Sequence, residues 1–251
     1  MSTFRLDKYE VTVGRFRAFV QSGMGTQLQP PDSGSGAHPN IAASGWDSNW
    51  NTNLVATRNV LTTALKCDPM FQTWTELSGE NENRPINCVT WFEAMAFCTW
   101  DAGFLPTEAE WNYAASGGDE QRAYPWSTPA ASTTIDGLHA SYNRDESGLD
   151  CAGDGMTGCA VTDLVVVGTK PAGIGRWGHF DLAGNVAEWT LDSPGRYADP
   201  CTDCVNPVNS YRGARGGSYD FDHNLVRAGF RYGGPPDSRT ARFGIRCARA
   251  L

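Results

Sequence analysis

The segment Arg215–Leu251, RGGSYDFDHNLVRAGFRYGGPPDSRTARFGIRCARAL, concentrates side chains that recognise or react. After the Gly216-Gly217 turn come Ser218, Tyr219, Asp220, Phe221, Asp222, His223 and Asn224, and Tyr232 to Arg242 follow. Tyr, Phe, Asp, His, Asn and Arg suit recognition by stacking and hydrogen bonding. Asp220, Asp222 and His223 also invite a metal. However, a two-histidine, one-carboxylate iron centre needs a second histidine, and His38, His139, His179 and His223 are isolated from one another in sequence. The chain has no G-x-S-x-G elbow and no local Cys–His pairing, and its glycine pairs do not open a helix as a phosphate-binding loop does. A second candidate lies upstream, where Asp181 and Glu188 flank Gly184. Carboxylates and backbone carbonyls in a glycine-permitted turn make a hard oxygen cage suited to calcium.

Composition narrows the class. The 251 residues include 28 glycines, 14 prolines and nine tryptophans, which suggests a loop-rich fold with an aromatic core. A net charge of −8 argues against a nucleic-acid partner. Lysine occurs only at Lys8, Lys66 and Lys170, and eight of the seventeen arginines fall between Arg212 and Arg249. Such arginines commonly fix loops by pairing with carboxylates. The eight cysteines favour disulfides and an oxidising, extracytoplasmic compartment. Cys201-Thr-Asp-Cys204 stands alone and gives little support to a structural zinc site. No apolar run reaches transmembrane length. No leader is evident at Met1-Ser2-Thr3-Phe4, and a leader or anchor is expected to lie outside this sequence.

The elements that must position these residues are short. Phe4, Leu6 and Tyr9 alternate as in a strand, and Thr12 then fits the N-cap of a helix carrying Phe16, Phe19 and Val20 on one face. Residues 21–65, with Trp46 and Trp50 as anchors, read as a long surface excursion. Thr90-x-x-Glu93 and Thr107-x-x-Glu110 are capping boxes that open two consecutive helices. Phe92, Ala96 and Trp100 are expected to face inward on the first, and Trp111 and Ala114 on the second. Residues 116–176 read as loop with a dense acidic patch that includes Asp145, Asp150, Asp154 and Asp163. Strand-like pieces return at 164–167, 213–219 and 225–232. With no repeat and no clear boundary, residues 1–251 read as one domain.

Four segments in order carry a resemblance: PINCVTWFEAMAFCTWDAGFLPTEAEWNYAA (85–115), YPWS (124–127), GHFDLAGNVAEWT (178–190) and RGGSY…FGIRCAR (215–249). Together with DKYEVT (7–12), they resemble the formylglycine-generating enzyme and sulfatase-modifying-factor family over nearly the whole chain. The resemblance implies an α+β fold of the C-type-lectin-like kind with little regular secondary structure. It implies one calcium site at Asp181, Gly184, Val186 and Glu188. It implies a second at Asn143 and Asp163 with the carbonyls of Arg144 and Val165, across a loop of different length from the family's. It also implies a Cys98–Cys247 disulfide; Cys151–Cys159 and Cys201–Cys204 are then local pairs, and Cys67–Cys88 is what remains.

In the family's enzymes two cysteines follow the GGSY-type turn, bind copper(I) as thiolates and use oxygen to oxidise a substrate cysteine to formylglycine. The matching positions here are Phe221 and Val226, neither of which ligates a metal. Copper chemistry is therefore not expected. Related sulfoxide synthases take iron ligands from a separate helical domain that this chain lacks. The expectation is a calcium-stabilised, disulfide-linked domain that binds a peptide, protein or glycan through Ser218, Tyr219, Asp220, Phe221, His223, Tyr232 and Arg242. The alternative is an oxidoreductase of this family with non-standard chemistry or metal. The sequence does not set the oligomeric state.

Overall fold

The computed structural model describes residues 2–145, 148–196, 202–206 and 210–251. Short elements follow the order β1 (Phe4–Leu6), α1 (Val13–Ser22), α2 (Arg58–Ala64), α3 (Trp91–Trp100), α4 (Glu108–Ala115), β2 (Ala187–Trp189), β3 (Arg212–Arg215), β4 (Tyr232–Gly234), β5 (Phe243–Gly244) and β6 (Ala248–Ala250). Single 3-10 turns punctuate the loops between them. β1 pairs antiparallel with β6, Phe4 opposite Ala250, so the two ends of the chain close on each other. The other sheet runs β4-β3-β2-β5, antiparallel except for the β2–β5 pair.

Local chemistry starts each helix where the sequence places it. Thr12 caps α1 by accepting the Arg15 N–H, and Gly23, at φ 81°, ends it in the left-handed conformation that glycine adopts without strain. Thr90 and Glu93 form a reciprocal capping box on α3, and Thr107 and Glu110 form one on α4. α3 departs from the expected one-sided helix. Every residue from Trp91 to Cys98 is buried, while Trp100 is only partly so. The cause is that α3 lies at the centre of the main core, with α1 aromatics on one side and Trp189, Ile245 and Cys247 on others. Rings pack against one another there: Phe97 stacks on Phe16 at 5.5 Å and meets Phe19 edge-on at 5.6 Å.

The 21–65 segment is not a mere surface excursion. It contains α2, and Trp46, Leu54, Leu61 and Leu65 are buried in the same core as α3. Its apolar residues are sparse in sequence but converge on one point. The 164–167 piece forms no strand, and 225–232 is turns as far as β4. Disulfides join Cys98–Cys247, Cys67–Cys88 and Cys151–Cys159, as expected. Cys98–Cys247, with its ends 149 positions apart in sequence, ties α3 to the strand pair that closes the chain. The expected Cys201–Cys204 link involves Cys201, which lies outside the described residues.

Buried arginine–carboxylate pairs lace these loops together. Arg246 meets Glu188 at 2.6 Å with neither side chain exposed to solvent. Arg246 also donates to the carbonyls of Asp7 and Phe180. Arg239 clamps Glu93, the α3 capping residue. Arg231 and Arg215 converge on Glu108 in the first turn of α4. Removing one member of such a pair strands a buried charge, at a cost of about 3–5 kcal/mol. Arg246→Met is therefore expected to lower unfolding free energy by about that amount. Arg246→Met/Glu188→Gln should lose clearly less than the two single losses summed, because the second change removes the stranded charge. Additive losses in denaturant melts would show that the pair is not coupled.

Candidate functional site

The glycine turn before the candidate face is a steric necessity. Gly217 has φ +68°, and a Cβ there would sit 2.4 Å from the Leu225 carbonyl oxygen. The loop from Ser218 to Phe230 therefore packs directly on the turn that launches it. Tyr219 donates its N–H to the Asn185 carbonyl, and the Asn143 N–H donates to the Phe221 carbonyl at 2.8 Å. This sews the segment to the Asp181–Glu188 run and to the 141–143 loop.

The arrangement corrects the expectation of an exposed recognition face. Ser218, Tyr219 and Phe221 are buried, with exposures of 0%, 3% and 8%. Tyr219 lies against Phe71 at 5.3 Å, and burial holds its hydroxyl well above the usual tyrosine range. Phe221 is boxed by Phe230 (6.4 Å), Tyr232 (5.4 Å) and the Arg242 guanidinium (5.6 Å). Val226 is fully buried and belongs to the same apolar cluster, with Tyr124, Ala140, Tyr142, Ala152 and Ala183. Phe221 and Val226 thus share one closed hydrophobic patch that presents no metal-ligating atom of their own.

Polarity is left to the rim. The Arg242 side chain, about half exposed, pairs with Asp220 through its Nε at 2.7 Å, and Ser218 donates its hydroxyl to the same carboxylate. Tyr232 is 37% exposed. Asp222 and His223 are partly exposed on the adjoining turn. The His223 carbonyl accepts the Tyr124 hydroxyl at 2.6 Å, which fixes the turn from below. The structure therefore brings Asp220, Phe221, Tyr232 and Arg242 together, with His223 on the neighbouring turn and Ser218 and Tyr219 beneath.

The expected calcium residues are engaged by protein groups. Glu188 accepts the Trp111 indole N–H at 2.5 Å as well as Arg246, and is sealed from solvent. Asp181 accepts the Gly168 N–H at 2.7 Å, and burial pushes its carboxyl up to about 6. Gly184 cannot be replaced in this turn: its φ is +80°, and a Cβ would meet the Ser141 carbonyl oxygen at 1.9 Å. Val186 donates its N–H to Glu10, which also accepts from Asn185. Burial raises the Glu10 carboxyl well above the usual range, and the charges of Asp181 and Glu188 push the same way. Glu10 and Arg246 are the residues that sequence reasoning did not bring to this site. The clustering of arginine near the C-terminus was the available signal.

In the second expected set, Asp163 accepts the N–H groups of Asp154 and Ala160. The Asn143 side-chain oxygen accepts the Asp145 N–H. Arg144 pairs with Asp150, and Val165 donates its N–H to the Asn185 side chain. Among the described residues, the one group of three acidic, histidine or cysteine ligands within mutual reach is Asp7, Asp101 and Cys247, and the Cys247 sulfur is held in its disulfide.

This frame, a glycine turn seated on the Asp181–Glu188 run with the C-terminal strands crossing behind it, matches a known family over its full length. The chain belongs to the sulfatase-modifying factor enzyme 1-like family, whose profile matches residues 1–251. Formylglycine-generating enzyme of Streptomyces coelicolor is 32% identical over 263 aligned positions, covering 98% of this chain and 77% of that protein. Hercynine oxygenase of Mycolicibacterium smegmatis is 26% identical and covers 98% of this chain but 53% of its own length. Among solved structures, PvdO from Pseudomonas aeruginosa superposes with a TM-score of 0.62 at 20% identity, covering 99% of this chain and 80% of that one. The fold is the α+β fold of the formylglycine-generating-enzyme kind.

The closed patch of this family member has a direct consequence for mutation. Phe221→Ala should open a cavity and cost about 3–4 kcal/mol, and Val226→Ala about 1–2 kcal/mol. Unfolding free energies from denaturant melts that changed by less than a few tenths of a kcal/mol would show that the patch is open rather than packed.

Proposed function

We propose that this chain is a formylglycine-generating-enzyme-like domain that binds a peptide, protein or glycan and does not oxidise cysteine with copper. One observation carries the reading: the two positions that match the family's copper-binding cysteines are Phe221 and Val226, packed in a single apolar cluster. A soft copper(I) ion needs sulfur ligands, and these residues supply none. The rim of Asp220, His223, Tyr232 and Arg242 supplies an aromatic ring, a cation and hydrogen-bonding groups, the chemistry common in recognition surfaces. The three disulfides support a location outside the cytoplasm. The hercynine oxygenase relative supports a second reading, an oxidoreductase of this family with non-standard chemistry or metal. That relative extends well beyond the matched region, and no thiol stands at either copper position here.

Two assays separate these readings. The purified chain is expected to bind no copper(I) tightly and to leave a cysteine-containing sulfatase-motif peptide unoxidised under oxygen; tight copper binding or peptide oxidation would sink the proposal. For recognition, a printed glycan array and a displayed peptide library serve as probes. Tyr232→Ala/Arg242→Ala should weaken any binder found by at least about tenfold, near 1.4 kcal/mol, in protein that remains folded at the assay temperature. Unchanged binding by a folded double variant would exclude this face.

Calcium at the Asp181–Glu188 run is a further part of the proposal. Its support is charge: Glu10, Asp181 and Glu188 are buried together, and Arg246 is the arginine among them. Asp181 is the carboxylate of the run that forms no ion pair among the described residues. An ion bound only to the folded state at a hundred times its dissociation constant stabilises by about 2.7 kcal/mol. Chelation should therefore lower the thermal midpoint by several degrees, at roughly 2–4 °C per kcal/mol. No shift, together with no calcium by elemental analysis, removes this part.

A further inference from the structure

A separate cavity of about 360 Å³ opens between the 224–230 loop and the C-terminal end of α4. It is large enough for a small ligand. Arg122, Arg227, Asn112 and Asn224 line it, Phe230 forms part of its wall, and no carboxylate is among its lining residues. On a chain of net charge −8 this is an unusual concentration of donors.

The charges around it do not cancel. Arg122 pairs with Glu120 through its Nε at 2.6 Å, but Glu120 also pairs with Arg176 at 3.0 Å, so one carboxylate serves two guanidiniums. Arg227 has no ion pair among the described residues. Near it lies the Tyr124 hydroxyl, a neutral group that donates to the His223 carbonyl. The Arg227 Nε is buried without an acceptor. Asp222, the acid on the same loop, accepts the Asn224 N–H instead. Asn112 has its amide oxygen taken by Arg215, which leaves its NH2 as the group it can offer. Donors and positive charge therefore converge on the cavity from two elements. The neighbouring arginines on the 231–246 stretch differ in kind, since Arg231, Arg239, Arg242 and Arg246 each have a carboxylate.

We propose that this cavity binds a small oxyanion-bearing ligand, a carboxylate or a tetrahedral sulfate or phosphate group, between Arg227 and Arg122. A partly desolvated guanidinium without an acid partner gains most from a charged acceptor, because charge-assisted hydrogen bonds are roughly twice as strong as neutral ones. The site is distinct from the Tyr232–Arg242 rim and does not depend on what that rim binds.

The test titrates the whole chain with citrate, sulfate and phosphate, each balanced with sodium chloride to constant ionic strength, and follows thermal midpoint and backbone amide shifts. A saturable rise in midpoint is expected, with amide shifts centred on Asn224, Gly229 and Arg122. Response to citrate alone assigns a carboxylate ligand, and response to sulfate or phosphate a tetrahedral one. Arg227→Gln should weaken the responding anion by at least tenfold, and Arg122→Gln should weaken it several-fold. The proposal is overturned by no saturable response to any of the three anions, or by unchanged affinity in folded Arg227→Gln. Should Arg227→Gln fail to fold, Arg122→Gln and the map of amide shifts decide: shifts centred elsewhere overturn the site.

Discussion

Arg246 and Glu188 meet in a part of the molecule that water does not reach, and much of the architecture is arranged around their pairing. The arginine draws in the carbonyls of Asp7 and Phe180, and the carboxylate holds the Trp111 indole. One ion pair thereby joins the segment after β1, the loop before β2, helix α4 and the approach to β6. A buried ion pair adds little net stability over well-packed apolar residues, because desolvating both charges is costly. Its effect lies in geometry. A charge left without its partner is so unfavourable that alternative loop arrangements are excluded. In a fold whose strands run two to four residues, such constraints do what long hydrogen-bond ladders do elsewhere. Arg239 with Glu93 and Arg231 with Glu108 repeat the device at the starts of α3 and α4, where the same glutamates stand in the first helical turn.

This division of labour explains how the face beyond the glycine turn can differ from the family's enzymes without harm to the scaffold. The turn, the Asp181–Glu188 run and the C-terminal strands are held by backbone contacts, the Asn143 N–H to Phe221 carbonyl bond among them, and by arginine pairs, none of which uses the side chain of residue 221 or 226. A phenylalanine and a valine then complete an apolar cluster with Tyr124, Tyr142 and Ala183. Polar groups are displaced outward to Asp220, Tyr232 and Arg242, while Arg227 lines the cavity it shares with Arg122.

How much of this was legible depended on range. Thr90–Glu93 and Thr107–Glu110 are three residues apart, and a reciprocal cap needs nothing beyond those residues, so both helix starts could be read directly. The 21–65 segment was misread because its apolar residues are too sparse to show a period. Their burial comes from convergence on α3, which no local window contains. The strand-like composition at 164–167 produced no strand, because its main chain is taken up by turns and by the side chains of Asn185 and Arg84. Ser218, Tyr219 and Phe221 looked like surface by residue type and were covered by neighbours distant in sequence.

From the sequence followed the helix caps and the absence of thiols at 221 and 226, matters of residue identity and short spacing, while the Cys98–Cys247 tie was implied by the family resemblance. Tertiary structure alone decided the partner of each charge. Glu188 stands between two candidate roles, cation ligand and arginine partner, and its composition is the same in both. Arg246 lies 58 positions away and reaches it only once β2 and β5 lie side by side. Arg227 is likewise one arginine among eight until the fold leaves it lining a cavity that no carboxylate lines. Electrostatic partners are chosen by distance in space and by exclusion of water, and neither quantity exists in an unfolded chain.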